Sequence, residues 1–184
     1  MAQKKRFSTL DISYIGLFIL FLSLCAWIAI PSLPPFTLQS MAVLLCGALL
    51  GLRRGLLAIL LYLLLGLLGL PLFSNFQSAP AVLAGPSGGF LIGFFFSAFF
   101  AALGARSGKE VPLLLGMLVG TLFSYVFGLL WFALVYAPGP GTAPWLSGLS
   151  ICVLPFILPD LAKLYLAFLL VKRLRPIMER AWQR

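Results

Sequence analysis

The chain contains no histidine, and only four of its 184 residues are acidic. General acid–base and metal chemistry draw mostly on those side chains, so an enzyme of either kind has almost no material to work with. Cysteine is nearly as scarce. Cys25, Cys46 and Cys152 all fall in apolar stretches without Cys-x-x-Cys spacing, which supports neither a disulfide framework nor a zinc site and reads instead as small apolar core residues. Charged residues make up only 9% of the chain, too few to cover the surface of a water-soluble fold.

Apolar residues fill the space left by these absences, at 62% of the chain, a composition typical of a multi-pass membrane protein. The net charge of +9 could suggest a nucleic-acid partner. Yet the basic residues occur in short clusters between apolar runs and form no stripe, so they read as topology determinants with no nucleic acid involved. Lys4, Lys5 and Arg6 ahead of the first apolar run look superficially like a secretion signal. That run is about 19 residues long and has no clear Ala-x-Ala cleavage site, so it reads as a retained span.

A membrane-crossing helix needs about 20 largely apolar residues, and six segments qualify or nearly so: 12–30, 38–52, 55–70, 90–105, 112–136 and 151–171. The expected fold is an all-α integral membrane protein, a single domain over 1–184 with six transmembrane helices. Lys and Arg cluster before the first span, between the second and third, between the fourth and fifth, and after the sixth, whereas 31–37, 71–89 and 137–150 carry no charge. Cytoplasmic loops are enriched in Lys and Arg, so both termini are expected to be cytoplasmic and the uncharged loops to face outward. Those outer loops are apolar, aromatic and rich in Pro and Gly, which suits lids folded over a cavity or, alternatively, segments lying in the interfacial layer. Small residues recur every fourth position at Gly47, Gly51 and Gly55, at Gly89, Gly93, Ser97, Ala101 and Ala105, and at Gly116, Gly120, Ser124 and Gly128. Such ladders serve close helix packing, within one chain or between subunits.

Asp160 and Lys163 are the charged residues that lie deep inside an apolar span. Each costs about 2.5 to 3.5 kcal/mol on insertion scales, so such groups pair or face a ligand. Their i, i+3 spacing puts both on one helix face, where they could address one small molecule or form a simple intrahelical salt bridge. The outer half also offers Gln39, Asn75, Ser87 and Tyr125, with the aromatics Phe36, Phe73, Trp131 and Trp145. Asn75 can donate and accept at once, or can merely form a turn. Tyr125, Gly128 and Trp131 share one helical face, for a ligand or for packing.

Several motifs follow one another along the chain: Pro34-Pro35-Phe36-Thr37-Leu38-Gln39, Gly66-Leu67-Leu68-Gly69-Leu70-Pro71-Leu72-Phe73, Gly85-Pro86-Ser87-Gly88-Gly89-Phe90, Tyr125-x-x-Gly128-x-x-Trp131, and Pro155-Phe156 ahead of Asp160-x-x-Lys163. Their order resembles the BioY family, the biotin-specific substrate-capture (S) subunits of bacterial energy-coupling-factor (ECF) transporters. The resemblance covers residues 12–171 and implies a six-helix S-component bundle in the bacterial cell membrane that binds biotin from outside with high affinity. It further implies association with a transmembrane coupling subunit and with ATPase subunits. By that likeness Asp160 and Lys163 address the ureido ring, Asn75 and the backbone from Gly85 to Gly89 help hold the ligand, and Tyr125 and Trp131 flank it. Ser87 stands where Thr is more usual, and the first span has no clean Ala-x-x-x-Ala surface for the coupling subunit. Residues 104–110 carry an incomplete likeness to a phosphate loop, with Glu110 where Ser or Thr should hold magnesium. No cofactor is therefore expected, and ATP hydrolysis is left to partners. The alternative is a solitary or proton-coupled vitamin carrier that uses Asp160 as its relay.

Overall fold

The computed structural model describes residues 8–136 and 144–183; Lys4, Lys5, Arg6 and Arg184 lie outside them. Helix α1 (Thr9–Trp27) starts at a reciprocal cap, in which the Ser8 hydroxyl accepts from the Asp11 amide and the Asp11 carboxylate accepts from the Ser8 amide. Such a box satisfies two of the helix's orphan donors. Asp11 also pairs with Arg54 Nε at 2.7 Å, tying the start of α1 to the middle of α2. Strands β1 (Ala29–Ile30) and β2 (Phe36–Thr37) then form a short antiparallel ribbon, with Ala29 opposite Thr37.

Helix α2 (Gln39–Leu67) is interrupted at Gly51, where φ is 75° and ψ is −179°, a conformation open essentially to glycine alone. The chain reverses there. Gln39 Nε2 donates to the Tyr62 hydroxyl at 2.8 Å, whereas 23 residues of straight helix would hold them about 35 Å apart. Segments 38–52 and 55–70 are thus separate, antiparallel arms, as expected. The ladder through Gly47, Gly51 and Gly55 needs a correction, however: Gly51 makes the turn, and only the outer two pack. A Cβ on Gly47 would collide with the Ala98 backbone, and one on Gly55 would lie 3.0 Å from the Cys46 carbonyl oxygen.

A turn at Ser74–Phe76 and the short helix α3 (Ala79–Leu83) lead to α4 (Gly88–Ala105) and α5 (Glu110–Trp131). These two pack backbone to backbone. Gly89 meets Phe127, Gly93 meets Ser124, and Gly120 meets Ser97, whose hydroxyl donates to the Gly120 carbonyl at 2.6 Å. Those small-residue rows therefore serve contacts within the chain. Helix α5 runs into a π-helical turn at Phe132–Tyr136. Helix α6 (Pro144–Gly148), a second π turn at Leu149–Val153 and α7 (Leu154–Gln183) complete the order. Residues 144–150, expected in a loop, are helical. The last helix also runs beyond the expected end at 171, because Lys172 pairs with Glu110 at 2.6 Å, Arg175 with Glu179 at 2.7 Å, and Arg175 Nη1 donates to the Ala105 carbonyl.

Among the described residues five helices are long and apolar enough to cross a membrane, and the reversal in α2 makes six crossing segments. Alternation of direction gathers Arg53, Arg54, Arg106, Lys109, Lys172, Arg173, Arg175 and Arg180 at one end of the bundle, and β1, β2, residues 68–87 and α3 at the other.

Gly47→Ala should lower stability in detergent by about 1 to 3 kcal/mol, because its methyl has no room against Ala98. Gly16, with nothing within 4 Å of a built Cβ, should tolerate alanine with no loss and a gain of up to ~1 kcal/mol from helix propensity. Paired thermal melts check both, and equal melting temperatures would contradict the close α2–α4 contact.

Candidate functional site

Helix α7 carries Asp160 and Lys163 on one face, with Lys163 Nζ 2.6 Å from Asp160 Oδ1. The pair is more than an intrahelical bridge. Ser40, in the first turn of α2, donates to Asp160 Oδ1 at 3.1 Å, and the Tyr125 hydroxyl on α5 donates to Oδ2 at 2.8 Å. Lys163 donates to the Thr37 carbonyl at 2.9 Å and to the Ser40 hydroxyl at 3.3 Å. An ammonium has three protons, and Asp160, Thr37 and Ser40 offer one acceptor to each. Asp160 is only 9% exposed, so these partners are what make its charge tolerable at that depth.

Above the pair lies a cavity of about 70 Å³. Asp160, Lys163, Ser40 and Gln39 supply its polar lining, Phe73, Phe90, Phe94 and Phe156 its aromatic walls, and Pro34, Pro35, Ser74 and Ser87 reach it from the loops. The first two outer loops thus reach over the cavity, and residues 137–143 of the third lie outside the described residues. The first is held by Lys163 on Thr37 and by Phe36 stacked on Phe156, ring centroids 4.1 Å apart. The second is held where Trp27 Nε1 donates to the Pro71 carbonyl at 3.1 Å, Trp27 packs on Phe76, and the Tyr62 hydroxyl donates to the Leu72 carbonyl at 2.8 Å. On the far side of Asp160, a crevice of about 640 Å³ opens between α5 and α7 with an almost wholly apolar lining. Among the described residues no three of His, Cys, Asp and Glu come together to hold a metal ion.

Of the residues singled out in the sequence, Asp160, Lys163, Gln39, Phe73 and Ser87 line the cavity directly. Phe73 also fills the space left by Gly66, where any Cβ would strike its ring. Tyr125 reaches Asp160 but lines the crevice and a small void beneath the pair, not the cavity itself. Phe36 stands one layer out, behind Phe156. Trp131 caps the glycine turn: its Nε1 donates to the Gly85 carbonyl at 3.2 Å, its ring occupies the space beside Gly88, and its Cβ the space beside Gly89. Asn75 is exposed, with φ 56° and ψ 30°, a left-handed turn conformation that Asn tolerates well. Its neighbour Ser74 lines the cavity instead. Trp145 is exposed as well. Sequence reasoning missed Ser40, Ser74, Phe156 and the Thr37 carbonyl. The only signal for Ser40 was its place directly after Gln39, and its partner lies 120 residues away.

The sequence model of the BioY family matches residues 1–180. A Pyrococcus horikoshii protein described as a probable biotin transporter BioY is 35% identical over 166 residues, 90% of this chain and 96% of that one. The biotin transporter BioY of Thermotoga maritima is 48% identical over 79 residues, a match that spans 42% of this chain and 47% of the relative. Among solved structures, a 2.1 Å crystal structure of the S-component for biotin from an ECF-type ABC transporter superposes with a TM-score of 0.77 at 25% identity, covering 93% of this chain and 95% of that one. With a family match over nearly its whole length and a relative aligned end to end, the chain belongs to the BioY family.

Proposed function

We propose that this protein is the biotin-capturing subunit of an ECF-type importer, binding biotin from outside with high affinity at the Asp160–Lys163 pair. The observation that carries the reading is that pair, buried beneath a loop-covered cavity in a chain of the BioY family. A ureido ring offers N–H donors beside a carbonyl acceptor, the complement of a carboxylate beside an ammonium, and charge-assisted hydrogen bonds are about twice as strong as neutral ones. Phe73 and Phe156 supply apolar walls for the fused rings, Ser87 a hydroxyl, and the turn from Gly85 to Gly89, held by Trp131, a close backbone surface. Asn75 and Phe36 sit on the two loops that cover the ligand.

Pockets for small ligands usually measure about 300 to 1,000 Å³, so a cavity of about 70 Å³ has to widen for biotin. The loops at 31–37 and 71–87 are the parts able to draw back. In this reading the basic end of the bundle and both termini are cytoplasmic, and a transmembrane coupling subunit with ATPase subunits drives release inward.

Titration of the detergent-purified protein with biotin, followed by calorimetry or tryptophan fluorescence, should give saturable submicromolar binding, with none for thiamine or riboflavin. Asp160→Ala should weaken binding more than about a hundredfold, since it removes the ureido acceptor and strands Lys163 at depth. Wild-type affinity in a folded Asp160→Ala protein would sink the assignment. Orientation is checked separately with two exposed serines: Cys at Ser32 should react with an impermeant thiol reagent in intact cells, and Cys at Ser107 only after lysis.

A further inference from the structure

The carboxylate of Asp160 is held from three helices at once. Lys163 on α7 and Ser40 on α2 both address Oδ1, and Tyr125 on α5 addresses Oδ2. A carboxylate offers about four lone-pair positions; among the described residues three are filled, two on Oδ1 and one on Oδ2. The acceptor position left over belongs to Oδ2, the oxygen whose direction Tyr125 sets.

Neither partner is replaceable by chance packing. Behind Asp160 lies the apolar crevice between α5 and α7, lined by side chains such as Leu122, Val126, Val153 and Leu161. A carboxylate oxygen turned toward it without a donor would lie unsatisfied in an apolar medium, which is unfavourable for a charged group. Tyr125 lines that crevice together with Asp160 and donates its hydroxyl to Oδ2, so the oxygen nearest the apolar side is supplied with a donor. Ser40 is used in both directions, donating to Asp160 and accepting from Lys163. It keeps ammonium and carboxylate at a fixed offset, where a flexible lysine alone could drag the carboxylate along the helix.

We propose that Tyr125 and Ser40 are positioning residues for ligand recognition, acting through Asp160 and not by covering the ligand's rings. They fix the carboxylate plane so that its remaining acceptor position, on Oδ2, meets a ureido N–H. This rests on the reading of Asp160 as the ureido acceptor.

The test compares biotin with an analogue methylated on both ureido nitrogens, which keeps the shape and loses the N–H donors. Tyr125→Phe keeps the ring and Ser40→Ala the helix, and melting temperatures check that each variant is folded. Each should weaken biotin binding roughly ten- to a hundredfold, the worth of a hydrogen bond to a charged group. The analogue's weak binding should stay as in wild type, so the preference for biotin collapses, and Ser40→Thr, which keeps the hydroxyl, should restore it. A structural role alone would weaken both ligands by the same factor and leave the preference intact; that result would overturn the proposal. Asp160→Asn separates the two levels. If it retains full biotin affinity, the underlying reading fails. If it loses binding while Tyr125→Phe and Ser40→Ala keep both affinity and preference, only the positioning role fails.

Discussion

A carboxylate and an ammonium placed within the thickness of a bilayer have to be neutralised and hydrogen-bonded, or the chain will not insert and fold around them. Asp160 and Lys163 meet that demand with groups from well beyond their own helix. Their partners are the first turn of α2, the middle of α5 and the backbone of the ribbon that precedes α2. The arrangement of three helices and one loop follows from it. Where the pair sits, the start of α2 must come down beside α7, and the ribbon that leads into α2 is drawn over the top.

The rest of the bundle supplies a frame rigid enough to keep that meeting point. In lipid there is little hydrophobic drive between helices, so close contact and internal hydrogen bonds do more of the holding. The glycine and serine rows of α4 and α5 bring backbones into direct contact, and Ser97 closes onto both Gly120 and Ser124. Gly47 seats the first arm of α2 on Ala98 in the same way. The two ends of the bundle are secured by different means. Ion pairs from Arg54 and Lys172 join helices at the basic end, whereas the loop end is held by aromatic stacking and single hydrogen bonds such as Trp27 to Pro71. Contacts of the second kind are individually weak, so the loop end is held by fewer strong contacts than the basic end.

The apolar runs and the Lys/Arg pattern made the crossing segments legible, because bilayer thickness and charge cost act on sequence directly. They also exposed Asp160 and Lys163, the two charges that composition could not excuse. What remained hidden was decided by tertiary contact. The reversal between 38–52 and 55–70 was expected, but Gly51 looks like a packing glycine in a four-residue ladder and instead makes that turn. Tyr125 and Trp131 share a helical face in the sequence but serve different partners, one the carboxylate and the other the glycine turn. Ser40 carried no pattern of its own. The apolar pattern ends at Val171 and gives no sign that α7 continues, with Lys172 paired to Glu110 and Arg175 donating to the Ala105 carbonyl.

Lys163 has no idle proton: Asp160, Thr37 and Ser40 occupy all of them. On the proposed reading, a ligand meets a site already occupied by the protein's own groups and has to replace them. A molecule that brings a carbonyl alone displaces one acceptor and returns one, gaining little. One that brings a carbonyl with flanking N–H groups replaces what it removes and adds a bond to the carboxylate besides. Selectivity of this kind is a comparison between guest and incumbent, so it can be strict without a tight-fitting wall. The same exchange would loosen Thr37, and with it the ribbon above, so that recognition and movement of the cover become one event.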